Sequence, residues 1–370
     1  MGLPPHEAIN QFKELMDQVD EPLKRTFKIY VVELVFGRKL VDVQMLVVKE
    51  SNVHQGYVVE TLERFLKARE GNVTKAHKML VDSLQWRLQN GIDDILAASA
   101  FTLITKPIIP ANFYRGVRDS QLIGLSGYTR EGLPVFAIGA GLSTFDKASI
   151  HYYVQSHIQI NEYRDRVILP AATKRNGKYI GKCVKVLDMS GLKLSALNQI
   201  KLLTTISTVD DLNYPEKTIT YYIVNVPYIF SACWKVVKPL LQERTKLKIR
   251  VLQGGGRDEL LKIMDYPSLP HFCRRDGSGS GSGSGSGAGN SNDNCYSLDH
   301  PFHQELYNYM KELSGIDEPK EPTKQGSIHV EVPMGDHEGV ELHRTLESEL
   351  MKLRTRKSLS GSLEKVKISD

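Results

Sequence analysis

The feature that most constrains the fold is a regular alternation of short strand-like runs with helical stretches between residues 107 and 275. The strand-like runs are rich in β-branched and other apolar residues and lie at residues 135–138, 183–188, 220–226 and 248–252. Helical patterns lie between or after them, at residues 146–169, 193–211, 228–241 and 257–264. Strands joined by helix-length crossovers predict a mostly parallel sheet with helices packed on it, so the predicted fold class is α/β.

Residues 1–105 have a different pattern and predict an N-terminal helical lobe. Residues 7–27 and 58–91 look helical, and in the second stretch apolar side chains recur at three- and four-residue spacing until Gly71 and Asn72 divide it into two helices. Residues 28–51 interrupt the lobe with β-branched runs that contain charged residues, and their uncharged apolar stretches are too short to span a bilayer. This atypical insertion forms either a β-hairpin or poorly ordered structure.

A glycine- and serine-rich stretch at residues 277–295 predicts a flexible linker, because it has little apolar surface to bury. We therefore expect the domain of residues 106–276 to end near Arg275, and residues 296–370 to form a tail that is disordered or helical. Helical patterns in this tail lie at residues 296–313 and 338–357. The second of them is basic and amphipathic, so it either lies on a membrane or docks on the protein itself.

Composition limits the classes of partner. The formal net charge of +5 comes from 48 basic and 43 acidic residues that are spread along the chain. Such a mild excess fits an anionic membrane surface, whereas nucleic-acid binding usually needs a clustered basic stripe, so no nucleic-acid partner is expected. The start of the chain lacks the basic and apolar regions of a signal peptide. We expect a cytoplasmic protein that associates transiently with membranes.

The sequence predicts no metal site, cofactor or catalytic residues. The four cysteines are far apart, and His157 lies six residues after His151, a spacing that points the two side chains to different sides of a helix. Asp210, Asp211 and Glu216 could be paired carboxylates, but they crowd a helix end where capping and turn roles are common. We therefore expect a binding protein rather than an enzyme.

Four segments carry the most specific motifs of the chain: FLKAREGNVTKAHKML, TVDDLNYPEKT, VNVPYIFSACWKVVKPLLQ and ERTKLKIRVL. In this order they resemble the CRAL-TRIO lipid-binding family, most closely its plant and fungal phosphatidylinositol-transfer branch. The resemblance covers residues 7–27 and 52–275. It implies that the helical lobe packs beside the sheet, that the sheet and its helices enclose one phospholipid in an apolar pocket, and that a mobile helix gates this pocket.

The resemblance also implies a headgroup site. The family's arginine in a helix turn corresponds to Arg69, the glutamate of its YPE motif to Glu216, and the threonine and lysine before its last strand to Thr245 and Lys248. In the family these four residues surround the phosphoinositide headgroup. Cations and hydroxyls donate to phosphate, and a carboxylate orients the lysine or accepts from inositol hydroxyls. A basic residue typical of the family is replaced here by Glu70.

Pocket and gate residues follow from the same resemblance. They are Phe136, Cys183, Lys185, Tyr214, Phe230 and Trp234. Related carriers hold choline with hydroxyl side chains at the positions of Phe136, Cys183 and Lys185, so we expect phosphatidylcholine exchange to be weak. Strand alternation places Cys183 and Lys185 on one face of the sheet, where the ammonium meets a buried anion or a wet cavity, or else reaches solvent at the strand end.

The expected function is to bind one phospholipid, phosphatidylinositol, and to transfer it between membranes or present it to lipid-modifying enzymes. The implied partners are the phospholipid, the membrane surface and phosphoinositide kinases, and the chain is expected to be a monomer without a cofactor. Two alternatives stay open: a carrier of another hydrophobic molecule, such as a tocopherol or retinoid, and an α/β enzyme.

Overall fold

A computed structural model of the chain describes residues 5–23, 58–96, 111–274 and 294–314. The predicted insertion at 28–51, most of the predicted linker and the predicted helix at 338–357 lie outside the described residues.

The N-terminal lobe consists of helices α1 (Pro5–Asp17), α2 (Val58–Ala68) and α3 (Val73–Asn90). The predicted break between α2 and α3 is confirmed. The side chain of Asn72 accepts a hydrogen bond from the backbone N–H of Lys75 at 2.9 Å and so caps the start of α3. Gly91 ends α3 in the left-handed conformation that glycine adopts without strain. The apolar faces of these helices form a core of their own, in which Phe12, Phe65 and Leu80 are fully buried.

The sheet has five strands in the order β1-β2-β3-β4-β5. The strands are β1 (Ile123–Tyr128), β2 (Pro134–Ile138), β3 (Cys183–Asp188), β4 (Thr218–Val224) and β5 (Ile249–Val251). Strands β2 to β5 run parallel, and β1 runs antiparallel to β2 at the edge. The predicted mostly parallel sheet is therefore confirmed, and β1 is a strand that the sequence pattern did not reveal.

Helices cover the sheet. They are α4 (Ala111–Gln121), α5 (Ile150–Tyr163), α6 (Leu169–Asn176), α7 (Ile200–Asn213), α8 (Phe230–Val237), α9 (Glu243–Lys246), α10 (Arg257–Leu261) and α11 (Pro301–Ser314). A π-helical turn, Arg164–Ile168, joins α5 to α6. None of the helices within the described residues is long and apolar enough to cross a membrane.

The two faces of the sheet differ in their packing. The face with Val135, Val184 and Val186 packs against Leu260 and other residues that follow β5. On the opposite face, Phe136 pairs in register with Lys185, and Lys185 pairs with Tyr221 on β4. This second face joins an apolar cluster with side chains of α5 and α7. Three of the predicted pocket residues, Phe136, Cys183 and Lys185, lie on this face. We therefore call it the ligand face and define it by these three residues and Tyr221.

The prediction that the ordered domain ends near Arg275 is wrong. Helix α11 lies beyond the glycine-rich stretch, yet Phe302, Leu306 and Met310 belong to the same apolar cluster as Phe136. These three residues recur at four-residue spacing, so one side of α11 is apolar and is buried against the sheet and α5. Glycine at position 124 permits this approach, because a β-carbon there would overlap the carbonyl of Cys295. The glycine-rich composition suggested a domain boundary near Arg275, but the apolar core continues into α11.

Candidate functional site

Three of the four predicted headgroup residues line one polar cavity. Glu216 lies just before β4, whereas Thr245 lies in α9 and Lys248 just before β5, and all three border a cavity of about 30 Å³. The Nζ atom of Lys248 lies 3.0 Å from Oε2 of Glu216. Parallel pairing of β4 with β5 brings these residues together, because the starts of neighbouring parallel strands meet at one edge of the sheet.

Glu216 is held in an unusual conformation. Its backbone φ is 59°, in the left-handed region that residues other than glycine rarely adopt. Its side chain is only 4% exposed and its Oε2 also lies 3.4 Å from Nζ of Lys67. Burial opposes the negative charge, but the hydrogen bond and charge of Lys248, together with Lys67, outweigh burial and lower the pKa of Glu216. The carboxylate is therefore ionised and shared by two lysines.

Arg69 lies beside this cavity but does not line it. Its Nη1 donates to the carbonyl of Ala68 at 3.2 Å, at the end of α2. The same carbonyl accepts a hydrogen bond of 2.7 Å from Arg244 of α9, which also donates to the carbonyl of Asp211. Arg244 thus connects the end of α2 to the ends of α7 and α9. Lys67 and Arg244 contact the site or hold its elements together, and sequence reasoning missed both.

Lys185 is buried on the ligand face with an anionic partner. Its Nζ lies 3.4 Å from Oδ2 of Asp210 and 5.6 Å from the centre of the Tyr221 ring. Burial acts to lower the pKa of Lys185, but Tyr221 and Asp210 outweigh it and the pKa lies above its ordinary value. The prediction that Lys185 meets a buried anion is confirmed. The alternative, that Lys185 reaches solvent at the end of the strand, is wrong because the residue is only 8% exposed.

Asp210 is a charged group of the interior rather than a helix cap. Its Oδ1 lies 2.7 Å from Nε2 of His157 and accepts a hydrogen bond of 2.7 Å from Asn161. Burial would raise the pKa of Asp210, but His157 and Lys185 outweigh it and hold this pKa well below its usual range. The capping role expected for Asp210 is therefore wrong, and the carboxylate instead neutralises Lys185.

A second set of buried charges joins the helical lobe to α5. Arg87 of α3 donates to both carboxylate oxygens of Glu162, at 2.8 and 3.0 Å, and Tyr214 donates to Oε1 of the same carboxylate at 2.6 Å. Burial would raise the pKa of Glu162, but Arg87 and Arg166 outweigh it and lower this pKa to about 2. Tyr214, a predicted pocket residue, borders the polar cavity and also braces the contact between the two parts of the protein.

The predicted gate helix is α8. Phe230 and Trp234 stack with ring centres 5.6 Å apart, and Phe230 packs with Ile223 of the sheet. Tyr228, just before α8, is 95% exposed. The helix therefore has an apolar side against the sheet and an aromatic side chain that faces solvent.

Comparison with known families identifies the chain. Residues 118–273 match the family model described as the CRAL/TRIO domain, and residues 8–82 match the model described as the CRAL/TRIO N-terminal domain. Together the two matches cover more than half of the chain. The chain belongs to the CRAL/TRIO family.

Curated CRAL/TRIO relatives support this assignment. The phosphatidylinositol/phosphatidylcholine transfer protein SFH12 of Arabidopsis thaliana is 29% identical over 243 residues, which are 64% of this chain and 42% of that protein. The SEC14 cytosolic factor of Eremothecium gossypii is 27% identical over 225 residues, which are 60% of this chain and 71% of that protein. The chain spans about two fifths of the length of the Arabidopsis relatives SFH12, SFH9 and SFH7.

Solved structures agree at the level of the fold. The crystal structure of Sfh5 superposes with a TM-score of 0.51 at 16% sequence identity and covers 83% of this chain and 97% of that chain. This similarity confirms the predicted architecture of a helical part beside a mostly parallel sheet.

The predicted pocket and gate residues other than Tyr214 fall into two groups. Phe136, Cys183 and Lys185 lie on the ligand face, with Cys183 fully buried. Phe230 and Trp234 lie on α8. Helix α11 was missed as a neighbour of this face: the rings of Phe302 and Phe136 meet edge to face, with centres 6.1 Å apart. The four-residue spacing in α11 was the signal that could have revealed it. Among the described residues, no three His, Cys, Asp or Glu side chains are grouped as metal ligands.

Proposed function

We propose that the chain binds one phospholipid, phosphatidylinositol, and transfers it between membranes or presents it to lipid-modifying enzymes without catalysing a reaction itself. The observation that carries the proposal is the convergence of Glu216, Thr245 and Lys248 on one polar cavity. Names of relatives that describe phosphatidylinositol transfer support it.

The chemistry of the cavity suits an inositol headgroup. A phosphate needs cationic and hydroxyl donors, which Lys248 and Thr245 supply, and the Glu216 carboxylate accepts from inositol hydroxyls. A cavity of about 30 Å³ has room for water only. Headgroup binding therefore requires side chains at the rim to turn outward, and Lys67 is free to do so because its side chain is 63% exposed.

The acyl chains would lie toward the apolar side chains of the ligand face and of α8. This placement gives the membrane a role, because moving α8 away from the sheet exposes Phe230 and neighbouring apolar groups unless a bilayer receives them. Two apolar residues on this side are strongly exposed. Tyr228, which is 95% exposed, lies just before α8, and Leu247, which is 86% exposed, directly precedes Lys248. We infer that a monomeric, cytoplasmic protein associates transiently with anionic membranes through this side, and that phosphoinositide kinases receive the lipid.

Mass spectrometry of an organic extract of the purified chain tests the proposal. We expect an inositol phospholipid, and we expect Lys248→Ala to lower phosphatidylinositol transfer between vesicles because a charge-assisted contact is lost. Such a contact contributes about 1.5–3 kcal/mol, roughly a ten- to hundredfold change in affinity. Lys262→Ala is the matched control, because Lys262 pairs with Glu259 away from the cavity.

A tocopherol or retinoid in the extract would instead support the alternative carrier function. Transfer that is unchanged in a folded Lys248→Ala protein would remove this residue from the site.

A further inference from the structure

The polar cavity has more positive charge around Glu216 than this carboxylate can neutralise. Lys248 and Lys67 both lie against Oε2 of Glu216, at 3.0 and 3.4 Å. Among the other cations that line the cavity, Lys185 lies 3.4 Å from Asp210 and Arg244 lies 3.5 Å from Asp211. Arg164 and Lys217 share the carboxylate of Asp165, at 2.7 and 3.1 Å. Positive charge therefore exceeds negative charge around the cavity, both at Glu216 and at Asp165.

A third lysine adds to this excess. Lys182 directly precedes β3, and the backbone N–H of the next residue, Cys183, donates to the carbonyl of Lys217 at 2.8 Å. This hydrogen bond places Lys182 beside the Glu216–Lys217 segment. Burial and the charge of Lys67 lower the pKa of Lys182, Lys248 acts in the same direction, and Glu216 opposes them only in part. Lys182 therefore adds a third positive charge to the two lysines that lie against Glu216.

We propose that Lys67, Lys182 and Lys248 form a polyanion site that prefers an inositol headgroup with a phosphate on the ring, a phosphatidylinositol monophosphate, to phosphatidylinositol. This inference rests on the proposed function, because it assigns the headgroup class of the same cavity. Lys182 is its specificity-determining residue.

Charge balance is the reason for the preference. The phosphodiester of phosphatidylinositol carries one negative charge, whereas three ammonium groups and one carboxylate leave an excess of two positive charges. A monoester phosphate on the ring adds about −1.5 to −2. The ring phosphate therefore neutralises the positive charge that remains when only the phosphodiester is bound. The site is half-buried, so its charges are screened less than they would be at an open surface.

The test uses the full chain and measures the lipid that the protein retains, because binding to vesicles alone would also report nonspecific attraction to a more anionic surface. The protein is incubated with phosphatidylcholine vesicles that contain equal mole fractions of phosphatidylinositol or phosphatidylinositol 4-phosphate. It is then separated from the vesicles, and the retained lipid is quantified by mass spectrometry. We expect about tenfold more phosphatidylinositol 4-phosphate than phosphatidylinositol, the effect of one charge-assisted contact.

Lys182→Thr should lower this preference to about twofold or less, because it removes one of the three ammonium groups. Lys262→Thr removes the same charge at a distant position and should keep the tenfold preference. Equal retention of the two lipids by the wild type, or a preference that Lys182→Thr does not change, would overturn the inference while the carrier function stands. Absence of any inositol lipid would overturn both. Competition by soluble inositol 1,4-bisphosphate at the same concentration as the lipid would overturn the assignment to a lipid headgroup.

Discussion

The docking of helix α11 gives the sharpest test of how this chain folds, and Phe302→Ala is the perturbation. Phe302 is 3% exposed, and its ring centre lies 6.1 Å from the ring centres of both Phe136 and Tyr163. Replacing a buried phenylalanine by alanine typically costs about 3–5 kcal/mol, because apolar burial is lost and a cavity remains. For the roughly 240 residues that the structure describes, this corresponds to a Tm decrease of roughly 6 to 20 °C.

Local undocking sets an upper limit on this effect. If α11 leaves the sheet before the other elements unfold, Phe302→Ala cannot lower the stability by more than the free energy of docking α11. In that case only the helix becomes exposed. Calorimetry of the full chain measures the Tm, and hydrogen exchange of residues 301–314 distinguishes local from global opening. Asn308→Ala, at an exposed position of the same helix, is the matched control.

Ending the chain after Arg275 extends the same test. We expect this truncation to destabilise the protein at least as much as Phe302→Ala, because it also removes Leu306 and Met310 from the core. A Phe302→Ala protein whose Tm matches that of Asn308→Ala, or a truncated protein that is as stable as the full chain, would refute the reasoning.

Two further predictions concern the buried charges. We expect the wild type to transfer phosphatidylinositol far better than phosphatidylcholine. Lys185→Thr combined with Cys183→Ser should raise phosphatidylcholine transfer severalfold, because the change removes a cation near the expected choline position and leaves the carboxylate of Asp210. Vesicle assays in which the wild type transfers both lipids equally would contradict this expectation. Glu162, whose pKa is about 2 against an ordinary 4.5, should stabilise the fold fully above about pH 4.5 and lose roughly 3 kcal/mol of that stabilisation as the pH falls toward 2. Urea unfolding across this range should show a loss about 3 kcal/mol larger in the wild type than in Glu162→Gln, because Asp210 and Glu216, whose pKa values are also lowered, contribute equally in both proteins. Glu162→Gln should be less stable at pH 7 because Arg87 and Arg166 lose their partner. An equal pH dependence in both proteins would exclude Glu162 as the cause.

Local patterns predicted the parts of the fold that depend on local chemistry. The break at Gly71 and Asn72, the four parallel strands and the apolar side of α8 each follow from a few neighbouring residues. Strand β1 was missed because Gly124 and Gly127 weaken its β pattern. Gly124 is needed for the close approach of Cys295, which lies more than 150 residues away in the sequence. No local pattern could carry that information.

The candidate site shows the same limit. Family resemblance predicted that Glu216, Thr245 and Lys248 surround one headgroup, and the three residues line one cavity, since their positions follow from motifs at the starts of β4 and β5. It did not reveal the partner of Lys185. Asp210 reaches this lysine only because α7 crosses the ligand face, so a pairing that decides the charge of the pocket depends on the packing of a helix on a sheet.

The geometry of the headgroup cavity also depends on contacts far from the lipid. Its wall includes residues at the ends of α7 and α9, which Arg244 connects to the end of α2. The Arg87–Glu162 pair joins the N-terminal lobe, which carries α2, to α5. A buried ion pair contributes little net stability, since the cost of removing two charges from water offsets their attraction. Its directional hydrogen bonds nevertheless orient the lobe, and they therefore help to place the end of α2, which carries Lys67, near Glu216. Substitutions at Arg87 should then act on headgroup selection as well as on stability, because the cavity and the lobe contact share the same buried framework.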